Sequence, residues 1–251
     1  MAKTKTKFKL IGFLIIPIIW LGIVVDRMFK NMMKKLIPTS QILPDIATVL
    51  DGYTNCYYLK SVGGYIAIDS GERPEVTLAQ LDELQIKPEE IKYVFLTHSD
   101  SDHAGAIEIF TEAEVFLSKQ ENEIVYGNIS RTFSKFKIPL RNKVKHTYDL
   151  LEDGEIKTFL GRKIECILTP GHTPGSMSYL IDDKYLFTGD TISLSDGKAD
   201  NFIKLFTMDL EANTLSIKRL AHLFKEQDIK YIFTAHHGYS DDFSHTFSEW
   251  Q

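Results

Sequence analysis

Hydrophobic and polar positions along the chain fall into two textures. Near the start an uninterrupted apolar run, Leu10 to Val25, lies between Lys3, Lys5, Lys7 and Lys9 on one side and Arg27, Lys30, Lys34 and Lys35 on the other. Its 16 residues would make about 24 Å of helix against a hydrocarbon core of about 30 Å. Snorkelling of Lys9 and local thinning can close that gap. Gly12, Pro17 and Gly22 suit a helix in lipid better than one in water. The run therefore reads as a retained single-pass anchor in the cell membrane, with residues 1–40 forming a hydrophobic helix and its linker. Val25-Asp26-Arg27 offers no small-residue cleavage site, which argues against a secretory signal. No Cys stands near enough for a lipoprotein anchor. Four basic residues flank each end, so the side of the membrane on which the rest lies is unreadable. If the segment is instead a soluble amphipathic helix, buried in the protein or paired with a second copy, the chain is cytoplasmic, and in the paired case a homodimer.

From Ile46 onward short apolar runs rich in β-branched and aromatic residues alternate with turns. Ala47–Leu50, Asn55–Leu59 and Tyr65–Asp69 read as three consecutive strands, separated by Asp51-Gly52 and Gly63-Gly64. Pro74–Leu84 reads as a helix with Pro74 in its first turn. Met208–Lys225 is a stronger helix. Its Ile217, Leu220, Ala221 and Phe224 recur at helical spacing, and Asp209 stands ready to cap it.

Composition narrows the function. Of 251 residues, 43% are hydrophobic and 25% charged, which excludes collagenous, coiled-coil and wholly disordered chains. Two cysteines, Cys56 and Cys166, make no disulfide framework and no four-cysteine zinc knuckle, and both sit among apolar neighbours as core residues do. The net charge of −5 hides an asymmetry: residues 1–40 hold eight Lys/Arg and one acid, leaving 21 basic and 33 acidic residues, a balance of −12, for the body. Such a body lacks the clustered cations that nucleic-acid phosphates require.

The candidate chemistry lies where strands end. Tyr93–Thr97 runs into His98-Ser99-Asp100-Ser101-Asp102-His103, Glu165–Thr169 into Pro170-Gly171-His172, Tyr185–Thr188 into Gly189-Asp190, and Tyr231–Ala235 into His236-His237-Gly238. Loops on a rigid scaffold are where sites are built. Imidazole and carboxylate together are ligands for zinc, iron or manganese. Four such side chains within six residues crowd a single ion and point to two centres, completed by His172 and by one of His236 and His237, with Asp190 as a bridge. His146, His222 and His245 fall outside this pattern and read as structural or exposed. Asn201–Phe206 reads as a pocket wall, with Phe202, Leu205 and Phe206 as its apolar lining. Tyr239 could donate to an oxyanion, though packing is its plainer role.

The ordered set Ile68-Asp69-Ser70-Gly71, Thr97-His98-Ser99-Asp100-Ser101-Asp102-His103-Ala104-Gly105, Thr169-Pro170-Gly171-His172-Thr173-Pro174-Gly175-Ser176, Thr188-Gly189-Asp190 and His236-His237-Gly238 resembles the metallo-β-lactamase-fold superfamily, in the style of its glyoxalase II-like and lactonase-like branch. The resemblance spans about residues 45–240. It implies an α/β fold, an αββα four-layer sandwich over residues 41–251, with two divalent cations at one edge. Carried over, His98, Asp100 and His172 would hold the first cation, and Asp102, His103 and His237 the second. Asp190 would bridge, and Asp102 would also serve catalysis. His237 is preferred to His236 because the family's last ligand usually stands directly before a Gly.

Zinc is the expected metal. The family usually has His at the position of Asp100, and this oxygen donor tilts the first site toward iron or manganese. The implied activity is hydrolysis of a small-molecule ester, thioester, lactone or phosphoester by a hydroxide that two cations generate at neutral pH. The alternative is a non-haem iron oxidoreductase with a persulfide dioxygenase-like or flavodiiron-like site. The end of the chain at Gln251 leaves no room for the flavodoxin domain of the flavodiiron proteins. Asp190 stands where true β-lactamases often carry Cys or Ser, which disfavours antibiotic hydrolysis.

Overall fold

Alternation of side chains across β-strands builds the layers. The computed structural model describes residues 35–133, 138–139 and 146–251. Seven strands form a mixed sheet. The first four, β1 (Ser40–Leu43), β2 (Ile46–Asp51), β3 (Thr54–Ser61) and β4 (Gly64–Ile68), pair antiparallel in sequence. The sheet continues in parallel through β5 (Ile91–Phe95) and β6 (Glu114–Ser118). A short hairpin of β7 (Thr132–Phe133) and β8 (Ile138–Pro139) intervenes before β9 (Asp149–Leu151) pairs with β6.

The second sheet runs β10 (Ile156–Phe159), β11 (Arg162–Leu168), β12 (Met177–Ile181) and β13 (Tyr185–Phe187). After a hairpin of β14 (Ile192–Ser195) and β15 (Lys198–Asn201), it resumes with β16 (Tyr231–Phe233) and β17 (Tyr239–Ser240). Its pairs are antiparallel except β13 with β16.

Each central strand is buried on both faces. Tyr57, Ile66, Ile68 and Phe95 of the first sheet meet Cys166, Met177, Tyr179, Phe187 and Phe233 of the second in one core. Their neighbours Cys56, Tyr58, Ala67 and Val94 face the opposite way, onto Leu81, Ala104, Ile107 and Phe110. Ile167, Leu180, Leu186 and Ile232 likewise turn away from the sandwich, onto Ile217, Leu220, Ala221 and Phe224. The helices responsible are α1 (Pro74–Glu83), α2 (Ser101–Ala104), α3 (Lys119–Val125), α4 (Leu210–Leu223) and α5 (Phe243–Thr246). Helical residues thus cover both outer faces, the helix–sheet–sheet–helix order the motifs implied. Asp209 caps α4 by accepting a bond of 3.0 Å from the Ala212 amide. Burial of one large side chain in such a core stabilises the fold by about 1.5–3 kcal/mol.

No helix among the described residues is long and apolar enough to cross a membrane. The expected anchor, Leu10 to Val25, lies outside those residues.

Candidate metal centre

Strand direction brings the motifs to one edge. β4 and β5 are parallel in the first sheet, and β13 and β16 in the second. β11 shares the direction of β13 because both pair antiparallel with β12. The residues that follow these strands carry the cluster: Thr97 to Asp100 after β5, His172 after β11, Asp190 after β13 and His236 after β16. Helix α2 adds Asp102 and His103. Two glycines let the backbones approach. A Cβ on Gly189 would stand 2.6 Å from the Thr97 side chain, and one on Gly171 would stand 2.4 Å from the Asn213 backbone.

The polar atoms form two groups that share Asp190. His98 and His172 face each other with their Nε2 atoms 3.1 Å apart, and His172 Nε2 is 3.2 Å from Asp100 Oδ2. Asp190 Oδ2 is 3.4 Å from His172 Nε2 and 4.0 Å from His98 Nε2. On the other side Asp190 Oδ1 is 3.1 Å from His236 Nε2 and 3.5 Å from His103 Nε2. Asp102 Oδ2 closes that second group, 3.4 Å from His236 Nε2 and 3.5 Å from His103 Nε2.

The resemblance favoured His237 over His236 as the last ligand. The structure brings His236, not His237, into the second group. The tight turn that follows β16 decides this. The Thr234 amide and hydroxyl both donate to Gly238 O, at 2.9 Å each, and the His237 amide donates to Thr234 Oγ1. His236 is left facing inward, where its Nδ1–H donates to Tyr53 O at 2.6 Å. The His237 ring lies edge-on to Phe202, with ring centroids 6.2 Å apart. The other predicted residues, His98, Asp100, Asp102, His103, His172 and Asp190, all join the cluster. His146, His222 and His245 are exposed, and Cys56 and Cys166 are buried free thiols.

Neighbours fix which nitrogen faces the cluster. His103 Nδ1–H donates to Asp69 Oδ2 at 2.8 Å, and His98 Nδ1–H donates to Thr97 Oγ1 at 3.1 Å, so each ring turns its Nε2 inward. Asp69 also accepts from the Thr97 amide at 2.8 Å. It does so from a left-handed backbone position, φ 63°, which Asp tolerates better than most residues. Buried Glu121 ties two loops together: it accepts from the Ser99 amide at 3.0 Å and hydroxyl at 2.7 Å, and from Thr173 Oγ1 at 2.5 Å. As site-building residues Asp69, Glu121 and Arg131 carry little signal in the sequence. Only Asp69, inside the motif after β4, gave a local signal.

Charges in this buried cluster perturb one another. Burial works to raise the Asp190 carboxyl, but the charges of His236 and His103 outweigh it and hold it well below the usual range. Burial opposes charge on His103, yet Asp102, Asp190 and Asp69 push its imidazolium well above its ordinary value. His172 goes the other way. Burial, reinforced by the Arg131 and His98 charges, lowers it to about 4, so it is a neutral imidazole at pH 7. Phe202, 2% exposed, walls the site with its ring centroid 4.9 Å from that of His172 and 5.5 Å from that of His236. Leu205 of the same segment is exposed, and Tyr239 packs on Tyr231 and Phe233 at 5.8 Å from each.

The profile of the metallo-beta-lactamase superfamily matches residues 49–236, three quarters of the chain. The chain belongs to that superfamily. Within it, the chain is 32% identical over 154 residues to the probable polyketide biosynthesis zinc-dependent hydrolase PksB of Bacillus subtilis (strain 168), covering 59% of each. It is 31% identical over 150 residues to the hydroxyacylglutathione hydrolase of Klebsiella pneumoniae subsp. pneumoniae, covering 57% of this chain and 51% of that protein. The chain therefore spans little more than half the length of these relatives. A solved metallo-beta-lactamase family protein of Thermus thermophilus shares the fold, with a TM-score of 0.64 at 20% identity over 83% of this chain and 79% of that one.

Proposed function

We propose that the chain is a metal-dependent hydrolase that holds two divalent cations, zinc foremost, and cleaves a small ester, thioester, lactone or phosphoester. The observation that carries this reading is the division of Asp190: one oxygen faces His98 and His172, the other faces His103 and His236. The residues fit cations. His103 Nε2 and Asp190 Oδ1 are buried atoms without a hydrogen bond, a condition that costs about 1–3 kcal/mol per group in a protein interior. An ion among imidazoles and carboxylates would satisfy both. His98, Asp100 and His172 would hold one ion, Asp102, His103 and His236 the other, with Asp190 between them. The relatives named zinc-dependent hydrolase and hydroxyacylglutathione hydrolase support zinc, and the second of them favours thioesters among the substrate classes.

When bound, such cations lower the pKa of water toward about 7 and polarise the oxygen of the bond to be cleaved. The chain supplies the rest. Asp102, with its side chain about a third exposed, is the carboxylate of the cluster most open to solvent. Thr54 Oγ1 donates to its Oδ2 at 3.0 Å and fixes its aim. From there Asp102 orients the attacking water and accepts its proton. The Phe202 ring excludes bulk water from the inner side of the site, which strengthens every charge interaction there. Asp69 and Thr97 keep His103 and His98 turned to the metal position.

The test is zinc content and hydrolysis together. The full chain is expected to bind two equivalents of zinc and to hydrolyse a panel of thioester, lactone and phosphodiester reporters. Chelation or Asp190→Ala should remove the activity, and zinc should restore it to the wild type alone. A chain that neither carries nor gains a transition ion, or activity untouched by chelation, would overturn the reading. Oxygen uptake by the iron-loaded chain with persulfide substrates would favour the iron oxidoreductase alternative instead, and none is expected.

A further inference from the structure

The two cation positions differ in one respect that their ligands alone do not disclose. Arg131, 2% exposed, lies against the first group and not the second. Its Nε donates to Asp100 Oδ1 at 2.8 Å and Oδ2 at 3.1 Å, and its Nη2 donates to Asp100 Oδ2 at 2.7 Å. The same Nη2 lies 3.0 Å from His172 Nε2 and 2.9 Å from Phe206 O, while Nη1 donates to Thr132 O at 2.9 Å. Asp102 and Asp190 form no ion pair with Lys or Arg among the described residues.

The consequence is electrostatic and steric at once. Asp100 is the one carboxylate that belongs to the first group alone, and a forked, permanently charged guanidinium already balances it. A zinc ion needs imidazole nitrogen at about 2.0–2.1 Å and carboxylate oxygen at about 2.0–2.2 Å. Nη2 occupies the space in front of His172 Nε2 and Asp100 Oδ2 from which an ion would take both. The second group carries two carboxylates and two imidazoles. Among the described residues its His103 Nε2 and Asp190 Oδ1 face the cluster's own imidazoles and carboxylates, with no guanidinium or ammonium in front of them.

We propose that Arg131 gates the first cation position. It competes with the ion for Asp100 and His172, so the chain loads one divalent ion tightly among Asp102, His103, His236 and Asp190. It takes a second at His98, Asp100 and His172 only when the guanidinium withdraws from His172. This rests on the reading of the cluster as a metal centre. Arg131 is a positioning residue here, acting on ligands and not on substrate.

Zinc titration of the metal-free full chain against a chromophoric chelator reads both equivalents without reference to activity. The wild type is expected to bind two ions with dissociation constants at least tenfold apart. Asp102→Asn should weaken the first equivalent and Asp100→Asn the second, which identifies each. Arg131→Met, close in length but unable to hydrogen-bond, should tighten the second equivalent at least tenfold and leave the first unchanged. Should that variant fail to fold by circular dichroism, Arg131→Lys decides instead, since a single ammonium cannot fork across Asp100. It should tighten the second equivalent at least threefold. Two equal equivalents in the wild type, or a second equivalent unchanged or weakened when Arg131 is replaced, would overturn the gate while leaving the metal centre intact. A wild type that binds no ion would overturn both.

Discussion

The bodies of the central strands and their C-terminal ends obey different physics. Inside the sandwich, stability comes from area and fit: Phe95 stacks on Phe116 at 4.7 Å and meets Tyr179 and Phe159 edge-on at 5.4 and 5.3 Å. Many neighbours share that work. A few residues further along the same strands, three carboxylates and four imidazoles crowd within hydrogen-bond reach. Their mutual charges pull Asp190 well below and His103 well above their ordinary values despite burial. The interior exists to be stable, and the stability it supplies holds together an edge that would not assemble by itself. Changes in the two regions should therefore separate cleanly into losses of stability and losses of metal.

The sharpest division is between adjacent histidines. His236→Ala is expected to remove one zinc equivalent and the hydrolysis that depends on it, whereas His237→Ala should keep both equivalents. Metal analysis of the two purified variants checks this, and the reverse result would reverse the choice of ligand. In the interior, Phe95→Ala should lower unfolding stability by about 3–5 kcal/mol while the folded fraction binds zinc normally, read by urea denaturation and zinc titration. Between the regions, Asp69→Asn removes the carboxylate that turns His103. It is expected to weaken zinc binding by about 10–100-fold with a smaller effect on stability, measured by the same titration.

The smallest effect is in pH. His172 is lowered from an ordinary 6.5 to about 4 in the folded chain. Between those values the unfolded chain binds a proton at this residue that the folded chain does not. The contribution of His172 to stability therefore falls as pH drops from about 6.5 to about 4, by a few kcal/mol at most. Urea denaturation of the metal-free chain across that range, wild type against His172→Gln, should show the wild type losing ground as pH falls.

How much of this could be read from residues alone follows the same division. The strand bodies announced themselves because alternation and β-branched runs leave a period-two signature. Asp209 announced the start of its helix because a capping side chain acts within three residues. The His and Asp positions were legible because they follow those strands directly. The choice between His236 and His237 was not, because it depends on a turn closed by Thr234 and Gly238 and on a carbonyl at Tyr53, about 180 positions away in sequence. Arg131 and Glu121 were invisible for the same reason: nothing near them in sequence resembles a site, and only folding carries them to Asp100 and Ser99.

Anomalous scattering from crystals of the full chain grown with zinc would locate a pair of cations on either side of Asp190. Two peaks about 3.5–4 Å apart, one beside His98 and His172 and the other beside His103 and His236, with Asp190 between them, are the expected result. Zinc bound elsewhere, or density at this edge with no anomalous signal at saturating metal, would contradict it.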